Sequence, residues 1–454
     1  MAQQRYDLIV IGAGAAGSTA ATTAAQKGAR VAMIERDKIG GTCLNYGCDP
    51  TKTMIYIAKL LYTTQRAEQF GLHVANAHVQ WNEVMSWVQQ VIKDIRGGTS
   101  DEASAKLAKQ GVEVIHGEAA FVSAHELSVG ERTLQAERII IATGGKEVIL
   151  PIEGLNEAGY ITNVEAVSLP TLPRRLAVIG GGAIGMEFAQ MFSRFGVEIT
   201  VLEHSSQLLD KEDREVAETL CTLLRKEGLR LETNVEVRRV QRQQDGKCLT
   251  IRCGDHEEEQ LVVDEILLAV GRQPALESLH LEKAGVKTTK KGIEVDATLR
   301  TNIPHIWAAG DITGGLQFTH VAYEQGKIAA HNAFSPEAQT FDHLVIPWVT
   351  FTNPALAHVG KTEEQLKEDG VKYRTGRKYF KEVERAVAEG KTDGLVKLLV
   401  DEQGHILGGH ILAAEAGNLL APIILAMQAG LPADQLANTI MPYPTLVEGV
   451  RWAA

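Results

Sequence analysis

The sequence predicts an α/β protein in which two tandem Rossmann-like units precede a separate α+β domain. Three observations predict it. A strand, a glycine-rich turn, a helix and a second strand ending in an acid follow one another near the N-terminus. The same series recurs after residue 175, and from about Val345 onward the pattern changes to strands alternating with short helices. A chain of 454 residues, at about 100–200 residues per domain, accommodates three or four such domains.

The first apolar run, Asp7-Leu8-Ile9-Val10-Ile11, is continuous and suits a strand buried on both faces of a parallel sheet. Gly12-Ala13-Gly14-Ala15-Ala16-Gly17 follows, then an Ala-rich helix expected over Ser18–Lys27 with Gly28 past its end, and a strand over Arg30–Ile34 ending at Glu35. In the second copy a strand at Leu176-Ala177-Val178-Ile179 leads into Gly180-Gly181-Gly182-Ala183-Ile184-Gly185. A helix expected over Met186–Phe195 and a strand over Glu198–Leu202 then reach Glu203. In both copies the acid lies 23 residues after the first glycine (35 − 12 and 203 − 180), and in both a later apolar strand closes on glycine, at Gly144 and at Gly271. Another strand is expected within Ile303–Asp311. In the C-terminal domain, strands at Gly394–Val400 and His405–Leu412 accompany helices at Thr362–Glu368, Ala416–Ala429 and Ala433–Asn438.

Composition narrows the function. With 44% hydrophobic and 23% charged residues the chain has ordinary globular usage, and 43 Gly against 13 Pro points to tight turns in an ordered fold. A net charge of −11 argues against nucleic acid or an anionic membrane as partner, and no apolar run approaches the ~18 residues that span a bilayer. Arg5-Tyr6-Asp7 leads directly into the first strand without a signal-peptide pattern, so a cytoplasmic address is expected.

A lone glycine fingerprint is weak evidence, but here each copy follows a strand, opens a helix and has its acid in place. The first glycine makes the turn. The second admits a pyrophosphate to the helix N-terminus, and the acid accepts hydrogen bonds from an adenosine ribose. Two dinucleotide sites are therefore expected, at Gly12, Gly14, Gly17 and Glu35, and at Gly180, Gly182, Gly185 and Glu203. Glu203 would repel a 2′-phosphate and no Arg lies between Leu202 and Asp210, so NADH is preferred over NADPH.

Five Cys do not make a disulfide scaffold, but Cys43 and Cys48 lie close together in Gly41-Thr42-Cys43-Leu44-Asn45-Tyr46-Gly47-Cys48-Asp49-Pro50-Thr51-Lys52. An extended backbone would hold their Cα atoms beyond the roughly 4.4–6.8 Å of a disulfide, and a regular helix places such a pair poorly. Gly47 supplies an irregular turn, and Pro50 suits a first helical turn that would favour a Cys48 thiolate. Lys52 adds positive charge; Asp49 opposes it and is expected to raise the Cys48 pKa. A pair of buried free thiols or half a metal site is the competing reading, but Cys221, Cys248 and Cys253 complete no zinc set and suit core or strand positions.

These residues resemble the redox signature of the flavin-dependent pyridine nucleotide–disulfide oxidoreductases, a family that includes dihydrolipoamide dehydrogenase, glutathione reductase and mercuric reductase. Ala142-Thr143-Gly144-Gly145, Val270-Gly271-Arg272, Ala308-Ala309-Gly310-Asp311, Phe351-Thr352-Asn353-Pro354 and Val359-Gly360 match further family segments. The resemblance implies an FAD-binding domain over 1–148 and 273–343, an NAD-binding domain over 149–272 and a dimerisation domain over 344–454. It implies FAD contacts from the first loop, Glu35, Gly41, Thr42, Lys52, Ala119, Thr143, Gly144, Asp311 and Thr319, and nicotinamide contacts from the second loop, Glu203 and Gly271. Lys52 would pair with Glu187 beside the flavin. Electrons would pass from NADH through the flavin to Cys48, with Cys43 as the interchange thiol. The active site of a homodimer would be completed by Tyr443 and Glu448 of the second chain.

The chain departs from the disulfide-reducing members at Pro442-Tyr443-Pro444-Thr445…Glu448, where Tyr443 replaces the proton-shuttling His. A phenol with a reference pKa of about 10 cannot shuttle protons at neutral pH as imidazole does. The Tyr, with Val447-Glu448-Gly449 and Trp452-Ala453-Ala454, resembles mercuric reductase. The C-terminal cysteine pair of that enzyme is not present, so a metal ion would reach Cys43 and Cys48 directly or on small thiol carriers. Ala183 replaces a gating Tyr of glutathione reductase. The expected function is thus a mercuric reductase-like transfer of electrons to a metal ion or other small thiol-reactive acceptor. No resident metal is expected. The alternatives are a dihydrolipoamide dehydrogenase-like disulfide reductase and a non-catalytic flavoprotein scaffold or NAD sensor.

Overall fold

The computed structural model describes residues 4–254 and 256–454, which group into two compact units: residues 4–53, 82–148 and 271–342, and residues 54–81, 149–254, 256–270 and 343–454.

The first unit is built on a seven-stranded sheet. Its parallel part runs Val112–His116, Val31–Glu35, Gln4–Ile11 and Arg132–Ile141, with Ile306–Ala308 also paired to the last of these. The antiparallel hairpin Ala119–Ser123 and Glu126–Val129 extends the other edge. The run Leu8–Ile11 is buried on both faces, as its unbroken apolar sequence requires. One face carries the helices Ala15–Gln26 and Thr319–Phe334, whose small residues let the backbones approach: a Cβ on Gly326 would collide with the Ala16 carbonyl.

The second unit holds a four-stranded parallel sheet in the order Arg230–Glu232, Glu198–Leu202, Arg175–Ile179 and Glu265–Leu268. A meander of Val235–Gln243, Gly246–Cys253 and Glu258–Val263 adjoins it in sequence. The C-terminal part is a five-stranded antiparallel sheet in the order Trp348–Thr350, Ala355–Gly360, Ile406–Ala413, Leu395–Val400 and Arg374–Tyr379. Buried Lys397 joins this sheet to the parallel-sheet part by bonding Asp213 at 2.8 Å, and it also bonds Glu363 at 2.6 Å. A buried charge left without these partners would cost several kcal/mol, about 3–5 in measured cases.

Three helices differ from the sequence expectation by more than one residue. Both loop helices begin three residues early, at Ala15 and Ala183 rather than Ser18 and Met186. The reason is steric: Gly17 and Gly185 lie inside the first turn, where a Cβ would collide with the carbonyls of Gly12 and Gly180. The third glycine is therefore part of the helix, not of a preceding loop. The expected helix Ala416–Ala429 is two helices, Ala416–Leu419 and Ala421–Gln428, with Pro422 in the first turn of the second. Among the described residues no helix is long and apolar enough to cross a membrane.

Candidate redox and dinucleotide site

In the first unit, Ile11 and Ala308 both pair with Ile141, so three parallel strands end in register. Their carboxyl ends carry Gly12, Thr143–Gly145 and Gly310–Asp311 onto one edge. The strand order reverses there, because Gln4–Ile11 is flanked by Val31–Glu35 on one side and Arg132–Ile141 on the other. Ligands of open α/β sheets bind at such a crevice. Thr143 Oγ1 donates to the Ala275 carbonyl at 3.1 Å, and the Gly144 carbonyl accepts from Ala275 N–H at 3.0 Å. Burial holds the Asp311 carboxyl above its ordinary pKa, opposed by the Arg272 guanidinium at 3.8 Å. Ala119 sits in the core at the start of its strand, two residues past Gly117, whose N–H donates to the Glu35 carbonyl.

The two glycine loops are built alike. Glu35 Oε2 accepts the Ala13 N–H at 2.7 Å, and Glu203 Oε2 accepts the Gly181 N–H at 2.6 Å. The other oxygens accept Asp37 N–H at 2.8 Å and Ser205 N–H at 2.7 Å. Each carboxylate thus fixes its loop and retains lone pairs for ribose hydroxyls. The glycines divide by cause. Gly12 and Gly180 are packed against the backbones of Ala142 and Ala269, which leave no room for a side chain. Gly14 and Gly182 have ordinary φ of −76°, and a Cβ there would meet only Gly41 Cα at 4.0 Å in the first loop and nothing in the second. Nothing in the folded chain requires the second glycine, so the space beside it fits an approaching pyrophosphate. Both residues cap the helices that open there, where N–H groups face an anion. Gly271, at φ +114°, has open space beside it, and Ala183 is exposed at the mouth of the second loop.

The cysteines sit on either side of a break between helices. Cys43 lies in the helix Gly41–Tyr46, Gly47 interrupts it, and Cys48 begins the helix Cys48–Gln65 with Pro50 in its first turn. Asn45 anchors the short helix, donating to the Ile39 and Gly41 carbonyls at 3.2 and 2.8 Å and accepting from Arg96. Both thiols are free and half-buried. The Cys43 S–H donates to Cys48, which drives the Cys43 pKa well above that of an ordinary thiol. The same bond is the largest influence lowering Cys48, to about 6; burial opposes it, while the Thr319 hydroxyl and Lys52 assist. Thr319 Oγ1 lies 3.4 Å from Cys48 Sγ. The expected effect of Asp49 on Cys48 has the right sign but little weight, and the other influences leave the Cys48 pKa lowered. Asp49 is the weakest influence, and its own carboxyl is raised by burial.

Two features escaped the sequence reading. Thr319, expected among the FAD contacts, also touches the Cys48 thiol. Tyr323, one turn farther along the same helix, is exposed and close enough to Cys43, Asp49 and Cys48 for their charges to add to the effect of burial in raising its pKa. The spacing Thr319–Tyr323 was the available signal.

In the second unit, Glu187 is buried on the loop helix Ala183–Arg194, and its Oε1 accepts the Phe351 N–H at 2.8 Å. Glu448 is buried and accepts the Thr445 N–H at 3.2 Å, which secures the turn carrying Tyr443. Tyr443 itself is 71% exposed. Cys221 and Cys248 are buried and Cys253 is half-buried in a strand, as expected. Among the described residues no group of three or more His, Cys, Asp or Glu is arranged to hold a metal ion.

Comparison with known proteins agrees with this geometry. Residues 6–326 match the model of the pyridine nucleotide-disulphide oxidoreductases, and residues 346–454 match the dimerisation domain of the same group. The chain belongs to this family. The oxidoreductase is 37% identical to a mercuric reductase of Staphylococcus aureus over 99% of this chain and 82% of that protein. It is also 37% identical to a dihydrolipoyl dehydrogenase of Thermus scotoductus, over 99% and 96%. Its fold matches the Cu(II) complex of the HOCl-induced flavoprotein disulfide reductase RclA from Escherichia coli with a TM-score of 0.89. That match is 32% identical and covers 100% of this chain and 99% of the other. Members of the family bind FAD and a pyridine nucleotide.

Two outcomes follow for this oxidoreductase. If the second loop holds the pyridine nucleotide, Gly182→Ala will fold with its full complement of FAD, but the KM for that nucleotide will rise roughly tenfold or more, because a methyl group would fill the space beside the loop. An unchanged KM would mean that the second loop does not hold the nucleotide. The pH dependence of Cys48 alkylation in the reduced protein will show a midpoint near 6. Thr319→Val will move it up by roughly one unit, since a hydrogen bond to a charged group is worth about 1.5–3 kcal/mol, and Asp49→Val will move it down. Coincident curves for all three proteins would refute the assignment.

Proposed function

We propose that the protein carries electrons from NADH, by way of FAD and the Cys43–Cys48 pair, to a thiophilic metal ion or another small thiol-reactive acceptor. The observation that carries this reading is the state of the thiol pair. A thiolate is favoured at Cys48 and a donating thiol at Cys43, while the residue at the family's His position is Tyr443. A soft ion binds thiolates directly and needs no acid to protonate a leaving thiol. Relatives support the choice: mercuric reductases are among them, and RclA has been obtained as a Cu(II) complex.

The residues divide the work as follows. In this reading the FAD domain is 1–148 with 273–343, the NAD domain 149–272 and the dimerisation domain 344–454. Gly12, Gly14, Gly17, Glu35, Gly41, Thr42, Ala119, Thr143, Gly144, Asp311 and Thr319 hold FAD, which supplies a two-electron relay between nicotinamide and thiols. Gly180, Gly182, Gly185, Glu203 and Gly271 hold the nicotinamide cofactor. Glu203 and the lack of Arg beside it favour NADH. Lys52 provides positive charge near Cys48, and Glu187 holds Lys52. Cys43 and Cys48 receive the acceptor. Tyr443 and Glu448 serve the site of the partner subunit in a homodimer. The chemistry balances: NADH yields two electrons and one proton. The electrons reduce one ion by two charges or two ions by one each, and the proton goes to solvent.

Equal identity to a dihydrolipoyl dehydrogenase keeps a disulfide acceptor as the second reading. Steady-state oxidation of NADH with mercuric ion, cupric ion and lipoamide separates the two. The proposal predicts turnover with at least one of the metal ions and at least roughly tenfold less with lipoamide, and Tyr443→His will raise the lipoamide rate. Fast lipoamide turnover with neither ion accepted would reverse the choice.

A further inference from the structure

The loop helix Ala183–Arg194 buries three polar side chains in an otherwise apolar face: Glu187, Gln190 and Arg194, which are 5%, 3% and 9% exposed. Their spacing of three and then four residues places them in one stripe along the helix. All three meet the same short stretch of backbone, 351–353, at the start of the C-terminal sheet. Glu187 Oε1 accepts the Phe351 N–H at 2.8 Å. Gln190 takes both main-chain groups of Asn353: its Oε1 accepts the N–H at 2.8 Å, and its Nε2 donates to the carbonyl at 2.8 Å. Arg194 donates to the same carbonyl at 3.0 Å and to Asn353 Oδ1 at 3.1 Å.

The amide of Gln190 can face only one way. Its NH2 meets the Asn353 carbonyl and the Glu227 carboxylate at 3.3 Å, and its oxygen meets an N–H. Turned over, it would set acceptor against acceptor and donor against donor. The side chain therefore reads the peptide as a neighbouring strand would, in register. Glu227 and Arg194 hold one side of this arrangement, bonded at 3.0 and 3.2 Å. Upstream, Glu212 accepts Trp348 Nε1–H at 2.8 Å and fixes the strand that leads into Phe351.

We propose that Gln190 is a positioning residue for the redox centre: by clamping Asn353 it sets the Phe351 N–H at Glu187, and so fixes the carboxylate that holds Lys52. The inference rests on the reading of Glu187 as the partner of Lys52 given above. Only Thr352 separates Phe351 from Asn353, so a shift of the clamped peptide moves the donor that orients Glu187. Gln190 contacts neither cofactor nor thiol in this account and acts through Glu187.

The test is the pH profile of the long-wavelength thiolate–flavin band in NADH-reduced holoenzyme, compared among wild type, Glu187→Gln, Gln190→Met and Leu249→Ala. Leu249 is fully buried in the same unit and controls for general loss of stability. Gln190→Met keeps the volume and removes both bonds to Asn353 together with the contact to Glu227. Its midpoint is expected to move in the same direction as that of Glu187→Gln, by at least about 0.3 pH unit, a twofold change in the thiolate-to-thiol ratio. Leu249→Ala is expected to lower Tm and leave the midpoint in place. If Gln190→Met yields no holoenzyme, Gln190→Asn, which retracts the amide by one methylene, is held to the same criterion. A midpoint that moves in Glu187→Gln but not in the Gln190 variant overturns the positioning role alone. A midpoint unmoved in Glu187→Gln overturns both this role and the reading of Glu187.

Discussion

The redox segment lies against the first nucleotide loop because Gly41 carries no side chain. A Cβ on Gly41 would stand 2.7 Å from Gly14 Cα. Gly41 has φ +60°, a conformation that costs glycine little and other residues more. This approach brings the helix with Cys43 beside the glycine turn of the first loop, and the break at Gly47 then returns the chain to start a long helix at Cys48. The rest of the chemistry depends on that path. A thiol donating to a thiolate, a threonine hydroxyl from a distant helix and a lysine one turn later can act together only on a sulfur held in this place.

The two dinucleotide loops show one design used twice. In each, the distal acid accepts the N–H of the residue after the first glycine, and the later apolar strand forms the wall against which that glycine turns. The difference lies beyond the loop. The first unit adds thiols and the half-buried Asp311 at the carboxyl ends of its strands. The second adds a polar stripe, Glu187, Gln190 and Arg194, on the loop helix itself. A helix that begins at a nucleotide loop and ends against the C-terminal sheet links the two parts of that unit in a single rigid element.

Much of this was legible in the sequence because it rests on local steric and periodic rules. The strands read correctly where burial on both faces made them uniformly apolar, as at Leu8–Ile11 and Ala177–Ile179. The thiol helix was marked by Gly47 and Pro50. The helix starts at Ala15 and Ala183 were misjudged because glycine is usually read as ending a helix, whereas Gly17 and Gly185 are there to let it pack. The strength of the Cys48 pKa depression was not legible because its largest determinant is the other cysteine, and the Thr319 hydroxyl that assists comes from 271 residues away. Neither effect has a signature at the level of neighbouring letters. The edge strands Trp348–Thr350 and Arg374–Tyr379 were silent for the same reason: half-exposed and short, they are defined by their partners.

The central claim is that Cys43 and Cys48 form an electron store in series with the flavin. Anaerobic titration of the oxidised holoenzyme with NADH, followed by absorbance, tests it most directly. The account predicts that the first equivalent leaves the flavin oxidised and produces a long-wavelength thiolate–flavin band, while further reductant bleaches the flavin; Cys48→Ser will abolish the band. Bleaching of the flavin by the first equivalent in the wild-type protein, with no such band, would contradict it.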